Sequence, residues 1–238
     1  MLSSNIFVLR VNCFPQLNTD VVLLPYYIVG ESDMIKNIIF DLGNVLIDFR
    51  WAEFLHEKGF EGEVFERIAK ASVLGKYWGE FDRSEWSDEE VIDAFVSSEP
   101  ELADEIHYAF DDVQGIVSMR DYTVGCIKAL KEKGYGVYYL SNYSRKVHVQ
   151  CKHTLDFLEL MDGGILSYQD KVIKPEPEIY ELLLKRYGLI AEECVFLDDT
   201  PVNVDAAVKL GFNGIRFENI QQGMEELRKM GVDAPEIV

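Results

Sequence analysis

Short apolar runs alternate with segments of helical periodicity from Met34 onward, and this order is the strongest constraint on the fold. The apolar runs predict buried strands at residues 38–40, 135–140 and 194–197. The intervening segments with helical spacing include residues 119–133 and 176–187. Strands that alternate with helices form a parallel sheet covered on both faces. We therefore expect an α/β fold with a doubly wound, Rossmann-like parallel-sheet core.

Residues 50–118 interrupt the alternation. Their pattern is mostly helical, with a capping-box signature from Ser87 to Glu90. They include 18 acidic and six basic residues. The cluster of Trp78, Phe81, Arg83 and Trp86 in this segment is interpreted as packing core, and lining of a substrate pocket is the alternative. The simplest organisation is an α/β core made of residues 34–49 and 119–238, with a helical cap at 50–118 inserted after the first strand.

Residues 1–33 precede the first predicted strand, and the sequence leaves their status open. They have neither the basic start nor the small-residue cleavage site of a secretory signal. Met34 stands directly before the first strand, which is consistent with a translation start at that residue. A peripheral extension of the native protein and a targeting segment are the two alternatives.

The net negative charge of the chain argues against anionic binding partners. The chain has 42 acidic and 23 basic residues and a formal net charge of −19. A field of this sign repels nucleic-acid backbones and anionic membrane surfaces, so we expect neither as a partner. The four cysteines are widely spaced and form no CxxC motif. Reduced thiols in a cytoplasmic protein are therefore the expected state.

The residues that follow the apolar runs include carboxylates and a hydroxyl. Asp41, Ser141 and the pair Asp198 and Asp199 come at the ends of predicted strands. In a parallel sheet those ends share one edge, and ligands bind there. A carboxylate held at a strand end can attack phosphorus or bind a metal, which makes Asp41 a candidate nucleophile. A turn-forming role for Asp41 is the alternative.

Further residues near this edge suit a metal ion and a phosphate. The adjacent carboxylates Asp198 and Asp199 repel one another, and Mg²⁺ suits an all-oxygen site completed by substrate phosphate. Ser141 and Asn142 precede a predicted helix, where a hydroxyl and backbone N–H groups can contact phosphate oxygens. Lys174 lies just before Pro175 and can stabilise a transferring phosphoryl group. The alternatives are a solvated turn, a helix cap and a surface lysine.

Taken together, the order Asp41, Ser141, Lys174 and Asp199 resembles the four motifs of the haloacid dehalogenase superfamily, over residues 34 to about 217. The resemblance implies a cap inserted after the first strand, Asp41 as nucleophile, and Ser141 and Lys174 on the phosphate. It also implies Mg²⁺ on Asp199, Asp198 and the backbone carbonyl of Gly43, and Asp41 is the fourth predicted metal ligand. The implied substrate is a small phosphorylated metabolite, hydrolysed through an aspartyl phosphate.

Most phosphatases of the superfamily that this sequence resembles have a second Asp two residues after the nucleophile, where it serves as general acid and base. This chain has Gly43 at that position. The sequence from Asp41 to Val45 is similar to the branch that contains bacterial α-D-glucose-1-phosphate phosphatases, so a sugar phosphate is the expected substrate class. The spacing of Asp48 does not support it as a substitute, and the proton donor stays unassigned. Without an acid, rates should depend steeply on the acidity of the leaving group.

Two other functions stay open on the same fold. A 2-haloacid dehalogenase uses the same nucleophile without a metal, and the absence of an acid at Gly43 fits that chemistry because halide leaves without a proton. The carboxylates Asp198 and Asp199 argue against it, since a metal-free site would leave them uncompensated. A non-enzymatic binding protein is the third interpretation.

Overall fold

The computed structural model describes residues 34–237, and its centre is a five-stranded parallel sheet. The strand order is β5-β4-β1-β6-β7, with β1 in the middle. These strands are β1 (Asn37–Phe40), β4 (Gly136–Ser141), β5 (Gly163–Leu166), β6 (Cys194–Asp198) and β7 (Asn213–Arg216). The predicted α/β class with a parallel-sheet core is therefore confirmed.

The central strands have apolar side chains on both faces because both faces are covered. Ile38 and Phe40 of β1 pack into one hydrophobic cluster, and Ile39 packs into the other. In β6, Leu197 packs into the same cluster as Ile38, and Phe196 packs into the same cluster as Ile39. The two clusters explain why these segments are continuous apolar runs rather than alternating ones.

Helices cover the sheet and connect its strands. They are α6 (Thr123–Glu132), α7 (Arg145–Gln150), α8 (Ser167–Asp170), α9 (Pro177–Tyr187), α10 (Pro201–Lys209) and α11 (Ile220–Lys229). The helix α9 ends at Gly188, whose φ of 66° is favourable for glycine. The side chain of Thr200 does not cap the start of α10. Asp198 Oδ1 accepts the Thr200 N–H at 2.7 Å instead, so a carboxylate of the preceding strand supports this helix start.

The segment between the first strand and the rest of the sheet is helical, as its pattern indicates. Its helices are α1 (Trp51–Glu57), α2 (Gly62–Ala71), α3 (Trp78–Arg83), α4 (Asp88–Ser98) and α5 (Ala103–Phe110). The predicted capping box is present at the start of α4, where Ser87 and Glu90 exchange hydrogen bonds. The aromatic rings of Trp78, Phe95 and Phe110 pack against one another inside this segment. We call residues 50–118 the cap segment.

A short antiparallel ribbon, absent from the sequence-based expectation, joins the cap segment to the core. It consists of β2 (Ile47–Phe49) and β3 (Val117–Met119). The backbone N–H of Arg50 donates to Ile116 at 2.8 Å and extends the pairing into the cap segment. The two chain connections between the cap segment and the core therefore lie side by side.

The expectations about residues 1–33 lie outside the described residues. Within 34–237, no helix combines the length and apolar character that crossing a bilayer requires.

Candidate active site

Asp41 follows β1 at the carboxyl edge of the sheet. Its backbone N–H donates to Leu197 at 2.8 Å, so the parallel pairing with β6 continues through this residue and fixes its backbone. The side chain is buried. Oδ1 accepts hydrogen bonds from the Leu42 N–H at 2.7 Å and lies 2.8 Å from Lys174 Nζ. Oδ2 accepts no hydrogen bond from the residues that the structure describes, which leaves this oxygen available for chemistry.

Lys174 is buried between two carboxylates rather than exposed on the surface. Its Nζ lies 2.8 Å from Asp41 Oδ1 and 2.6 Å from Asp198 Oδ2. These two carboxylates raise the pKa of Lys174 against the opposing effect of burial, so the ammonium stays charged. The loop that carries Lys174 is fixed by Asn142, whose side chain accepts the Lys174 N–H at 2.7 Å and donates to its carbonyl at 3.0 Å.

The carboxylate of Asp198 is fully buried at the end of β6 and has all its hydrogen bonds satisfied locally. Besides Lys174 and the Thr200 N–H, it accepts from Asn203 Nδ2 at 3.1 and 3.2 Å. Asn203 lies in the first turn of α10 and is itself buried. This network orients Asp198, which in turn holds the ammonium of Lys174 beside Asp41.

Asp199 is more exposed and faces the same edge from the turn before α10. Its Oδ2 accepts from Asn44 Nδ2 at 2.9 Å, and its Oδ1 accepts from the Thr200 hydroxyl at 3.3 Å. Asn44 has a φ of 56°, the left-handed region that Asn tolerates better than most residues. The turn after Asp41 therefore reaches across to Asp199.

The three carboxylates can hold a cation. One oxygen each from Asp41, Asp198 and Asp199 lies within 4.8 Å of the other two. Burial raises the pKa of Asp41; Lys174 opposes this, and Asp198 adds to it. A single ammonium does not balance three carboxylates, so the cluster retains negative charge. The donors are all hard oxygens, which fits Mg²⁺ and excludes the sulfur- and nitrogen-rich set typical of zinc.

A cavity of about 200 Å³ opens onto this cluster. Five of the predicted site residues line it, namely Asp41, Gly43, Asn142, Lys174 and Asp199. The other two, Ser141 and Asp198, are buried at the ends of their strands and are not among the lining residues. The seven predicted residues therefore lie at one edge of the sheet, five of them on the cavity surface and two buried behind it.

Further lining residues come from the cap segment and the ribbon. Trp78 and Asp82 belong to α3, and Ile47, Phe49 and Val117 belong to β2 and β3. Of the aromatic cluster noted in the sequence, Phe81 is buried as expected, whereas Trp78 reaches the cavity. Nothing in the sequence separates Asp82 from the other acidic residues of this segment. Asp48 is engaged elsewhere, because its Oδ1 lies 2.7 Å from Arg120 Nε.

The segment that carries the strand-end aspartate, the buried lysine and the acidic pair matches a known class of hydrolases. Residues 35–211 match the family model of haloacid dehalogenase-like hydrolases. The chain belongs to this family.

Several phosphatases are similar to the chain over most of their length. A sesquiterpene phosphatase of Aspergillus oryzae is 26% identical over 195 residues, which covers 82% of this chain and 96% of that protein. The D-ribitol-5-phosphate phosphatase of Bacteroides thetaiotaomicron is 27% identical over 221 residues, with coverage of 82% and 97%. A haloacid dehalogenase family enzyme of the same bacterium, solved with magnesium and inorganic phosphate, has a TM-score of 0.59 and 26% identity, covering 77% of this chain and 94% of that one.

Proposed function

We propose that the protein is a Mg²⁺-dependent phosphatase that hydrolyses a small phosphate monoester through an aspartyl phosphate on Asp41. The observation that carries the proposal is the buried contact of Lys174 with Asp41 and Asp198, next to the more exposed Asp199. The similar phosphatases, and the relative solved with magnesium and phosphate, support the same reaction class.

Each residue of the cluster has a separate role in the proposed reaction. Asp41 Oδ2 attacks phosphorus while Oδ1 is held by the Leu42 N–H and Lys174, which fixes the direction of attack. The Lys174 ammonium also stabilises the negative charge of the phosphoryl oxygens during transfer. Mg²⁺, held by Asp41, Asp199 and the carbonyl of Gly43, would neutralise phosphate charge and favour the ionised form of the nucleophile. Asp198 was predicted as a further ligand, but both of its oxygens are engaged with Lys174, Thr200 and Asn203, so in this proposal it supports the site through Lys174.

Ser141 and Asn142 have supporting roles in this proposal. Asn142 lines the cavity, but its side-chain amide is committed to the backbone of Lys174, so it positions the lysine and offers its own backbone to the phosphate. The Ser141 hydroxyl lies behind the cavity wall and makes only a long contact, 3.4 Å, to the carbonyl of Asn142, so in this proposal it turns toward the cavity when a phosphate oxygen is bound. In this proposal both residues contribute to phosphate binding.

The cavity favours a small ester, with a sugar phosphate as the proposed substrate class. Its volume of about 200 Å³ is below the roughly 300–1,000 Å³ of pockets for drug-sized ligands. Its walls combine the indole of Trp78 with polar and acidic groups. Such a surface suits a polyol, whose C–H groups pack on an aromatic ring while its hydroxyls meet polar atoms. The similarity to a ribitol-phosphate phosphatase supports this class. The cap segment would then act as the cap domain that selects the substrate.

We also propose a cytoplasmic location. Cys126, Cys151 and Cys194 are free and buried, as expected for a protein kept in a reducing compartment.

The test is turnover of a panel of sugar phosphates and aryl phosphates with Mg²⁺ and with EDTA, together with 2-chloropropionate. We expect hydrolysis of phosphate esters that stops in EDTA and no release of chloride. Metal-independent chloride release would identify a dehalogenase, and binding of esters without turnover would identify a binding protein.

Replacing the nucleophile gives the matched genetic test. Asp41→Asn should reduce phosphatase activity to below a few per cent of the wild type, because a neutral amide cannot attack phosphorus as an anion. Near-normal activity in a clean preparation of this variant would remove Asp41 from the role.

A further inference from the structure

The proposed reaction needs a proton donor for the leaving oxygen, and Gly43 cannot supply one. Three carboxyl groups of the described residues line the cavity, those of Asp41, Asp82 and Asp199. Asp41 is assigned to attack and Asp199 to the metal. We propose that Asp82 of the cap segment is the general acid and base of this site. This inference rests on the phosphatase function proposed above.

The backbone of Asp82 is fixed to the core rather than carried on a free surface. The hydroxyl of Ser167 donates to the Asp82 carbonyl at 2.7 Å and accepts the backbone N–H of Tyr143 at 2.8 Å. Tyr143 lies in the loop after β4, next to Asn142, and lines the same cavity. One buried hydroxyl therefore links the residue that carries the carboxyl to the loop assigned to phosphate.

The neighbouring residue provides a second attachment. Arg83 donates to both carboxylate oxygens of Glu176, at 2.9 and 2.5 Å, and also to the carbonyl of Lys171 at 3.2 Å. Glu176 follows Lys174 by two residues. A bidentate pair of this kind fixes orientation as well as distance. The backbone of α3 that carries Asp82 is thus tied to the same loop that places the Lys174 ammonium beside Asp41.

The surroundings of Asp82 suit proton transfer near neutral pH. The side chain is half-buried, and its carboxyl makes no hydrogen bond or ion pair with the residues that the structure describes. Burial raises its pKa to about 7; the charge of Lys174 lowers it, and that of Asp41 raises it. A general acid is most effective when its pKa lies close to the working pH.

The two half-reactions balance with Asp82 in this role. Asp41 Oδ2 forms a bond to phosphorus, the bond from phosphorus to the ester oxygen breaks, and Asp82 gives its proton to that oxygen, so an alcohol leaves. Asp82, now a carboxylate, takes a proton from a water molecule as the water oxygen attacks phosphorus. The bond between phosphorus and Asp41 then breaks, which releases inorganic phosphate and restores both carboxyl groups.

The test compares Asp82→Asn with the wild type on aryl and alkyl phosphates of graded leaving-group pKa, with Mg²⁺ present. We expect a loss of ~10²–10⁴-fold in kcat/KM for alkyl phosphates, whose oxygen must be protonated, and only a few-fold loss for nitrophenyl phosphates. The dependence of rate on leaving-group pKa should be shallow in the wild type and steep in the variant. The matched control is Glu85→Gln, an exposed acidic residue of the cap segment that does not line the cavity.

A second variant tests the chemistry independently of folding. A Cβ added at Gly43 would meet no atom within 4 Å, so this lining position accepts a side chain. Gly43→Asp introduced into Asp82→Asn should restore part of the lost rate on alkyl phosphates. An equal loss across the whole series, or an unchanged slope, would overturn the assignment of Asp82. Absence of turnover of every ester by the wild type would instead overturn the phosphatase function itself.

Discussion

Lys174→Met should destabilise the metal-free protein strongly, because it leaves two buried carboxylates without their counter-ion. The ammonium lies 2.8 Å from Asp41 and 2.6 Å from Asp198, and its side chain is 1% exposed. Removing one partner from a buried ion pair costs ~3–5 kcal/mol, since the remaining charge stays buried and unpaired. For a chain of this size, ~1 kcal/mol corresponds to about 2–4 °C in Tm. The expected decrease is therefore on the order of 6–20 °C in EDTA.

Adding Mg²⁺ should reduce this difference. A cation that binds the folded state alone stabilises it by about 2.7 kcal/mol at 100-fold excess over Kd. Without the ammonium the carboxylate cluster is more negative, so the variant should bind the ion more tightly and gain more Tm than the wild type. Activity should still fall ~10²–10³-fold, because the charge that stabilises the phosphoryl oxygens is absent.

The assay is thermal unfolding in EDTA and across a Mg²⁺ titration, with Lys209→Met as the control. Lys209 is exposed on α10, away from the cavity, and its replacement should change Tm by no more than a few degrees. A Tm of Lys174→Met in EDTA within 2–3 °C of the wild type, on the scale of about 1 kcal/mol, would refute the reasoning about the buried ion pair.

Three further predictions concern single side chains. Asp199→Ala should lose most of the Mg²⁺-induced gain in Tm and the activity, with stability in EDTA changed by only ~1 kcal/mol, because relief of repulsion offsets the lost hydrogen bond from Asn44. Glu176→Gln should lower the free energy of unfolding by ~1 kcal/mol or less at pH 7. Hydrogen bonding to Arg83 lowers the pKa of Glu176 below its ordinary value of 4.5, so this contribution is fully present above that pH and is lost as the pH falls through the lowered pKa of the folded state. Urea unfolding at pH 7 and pH 3.5 should therefore show a smaller difference at the lower pH. Tyr143→Phe should raise stability in urea by ~1 kcal/mol, because the Tyr143 hydroxyl is buried and has no hydrogen-bond partner among the described residues, and a decrease would show that the hydroxyl is satisfied.

The sheet could be predicted because its central strands are covered on both faces. Side chains on opposite faces of the sheet, such as Ile38 and Phe196, are both buried in hydrophobic clusters. Each central strand is therefore an uninterrupted apolar run in the sequence. The carboxylates that end these strands were predictable for the same reason, since Asp41 and Asp198 mark the points where burial in the sheet gives way to an open edge.

The rest depended on contacts between distant segments. The ribbon strands β2 and β3 have three residues each, too few for a period to be recognised, and they pair across the whole cap segment. Asp82 is one of 18 acidic residues in that segment, and its placement in the cavity follows from the contacts of Ser167 and Arg83 with distant parts of the chain. The partners of Lys174 could not be derived either, because a lysine before a proline looks like a surface residue until the fold buries it.

The most direct test of the account is the isolation of the covalent intermediate. The protein is mixed with a phosphate ester that it hydrolyses and Mg²⁺, quenched in acid within the first turnover, digested, and measured by mass spectrometry. The peptide that contains Asp41 should carry the mass of one phosphoryl group, and Asp41→Asn should carry none. Turnover of the ester in ¹⁸O-labelled water should place the label in the released phosphate, because water attacks phosphorus. Label in the Asp41 carboxylate, or phosphoryl mass on any other peptide during full turnover, would contradict the account.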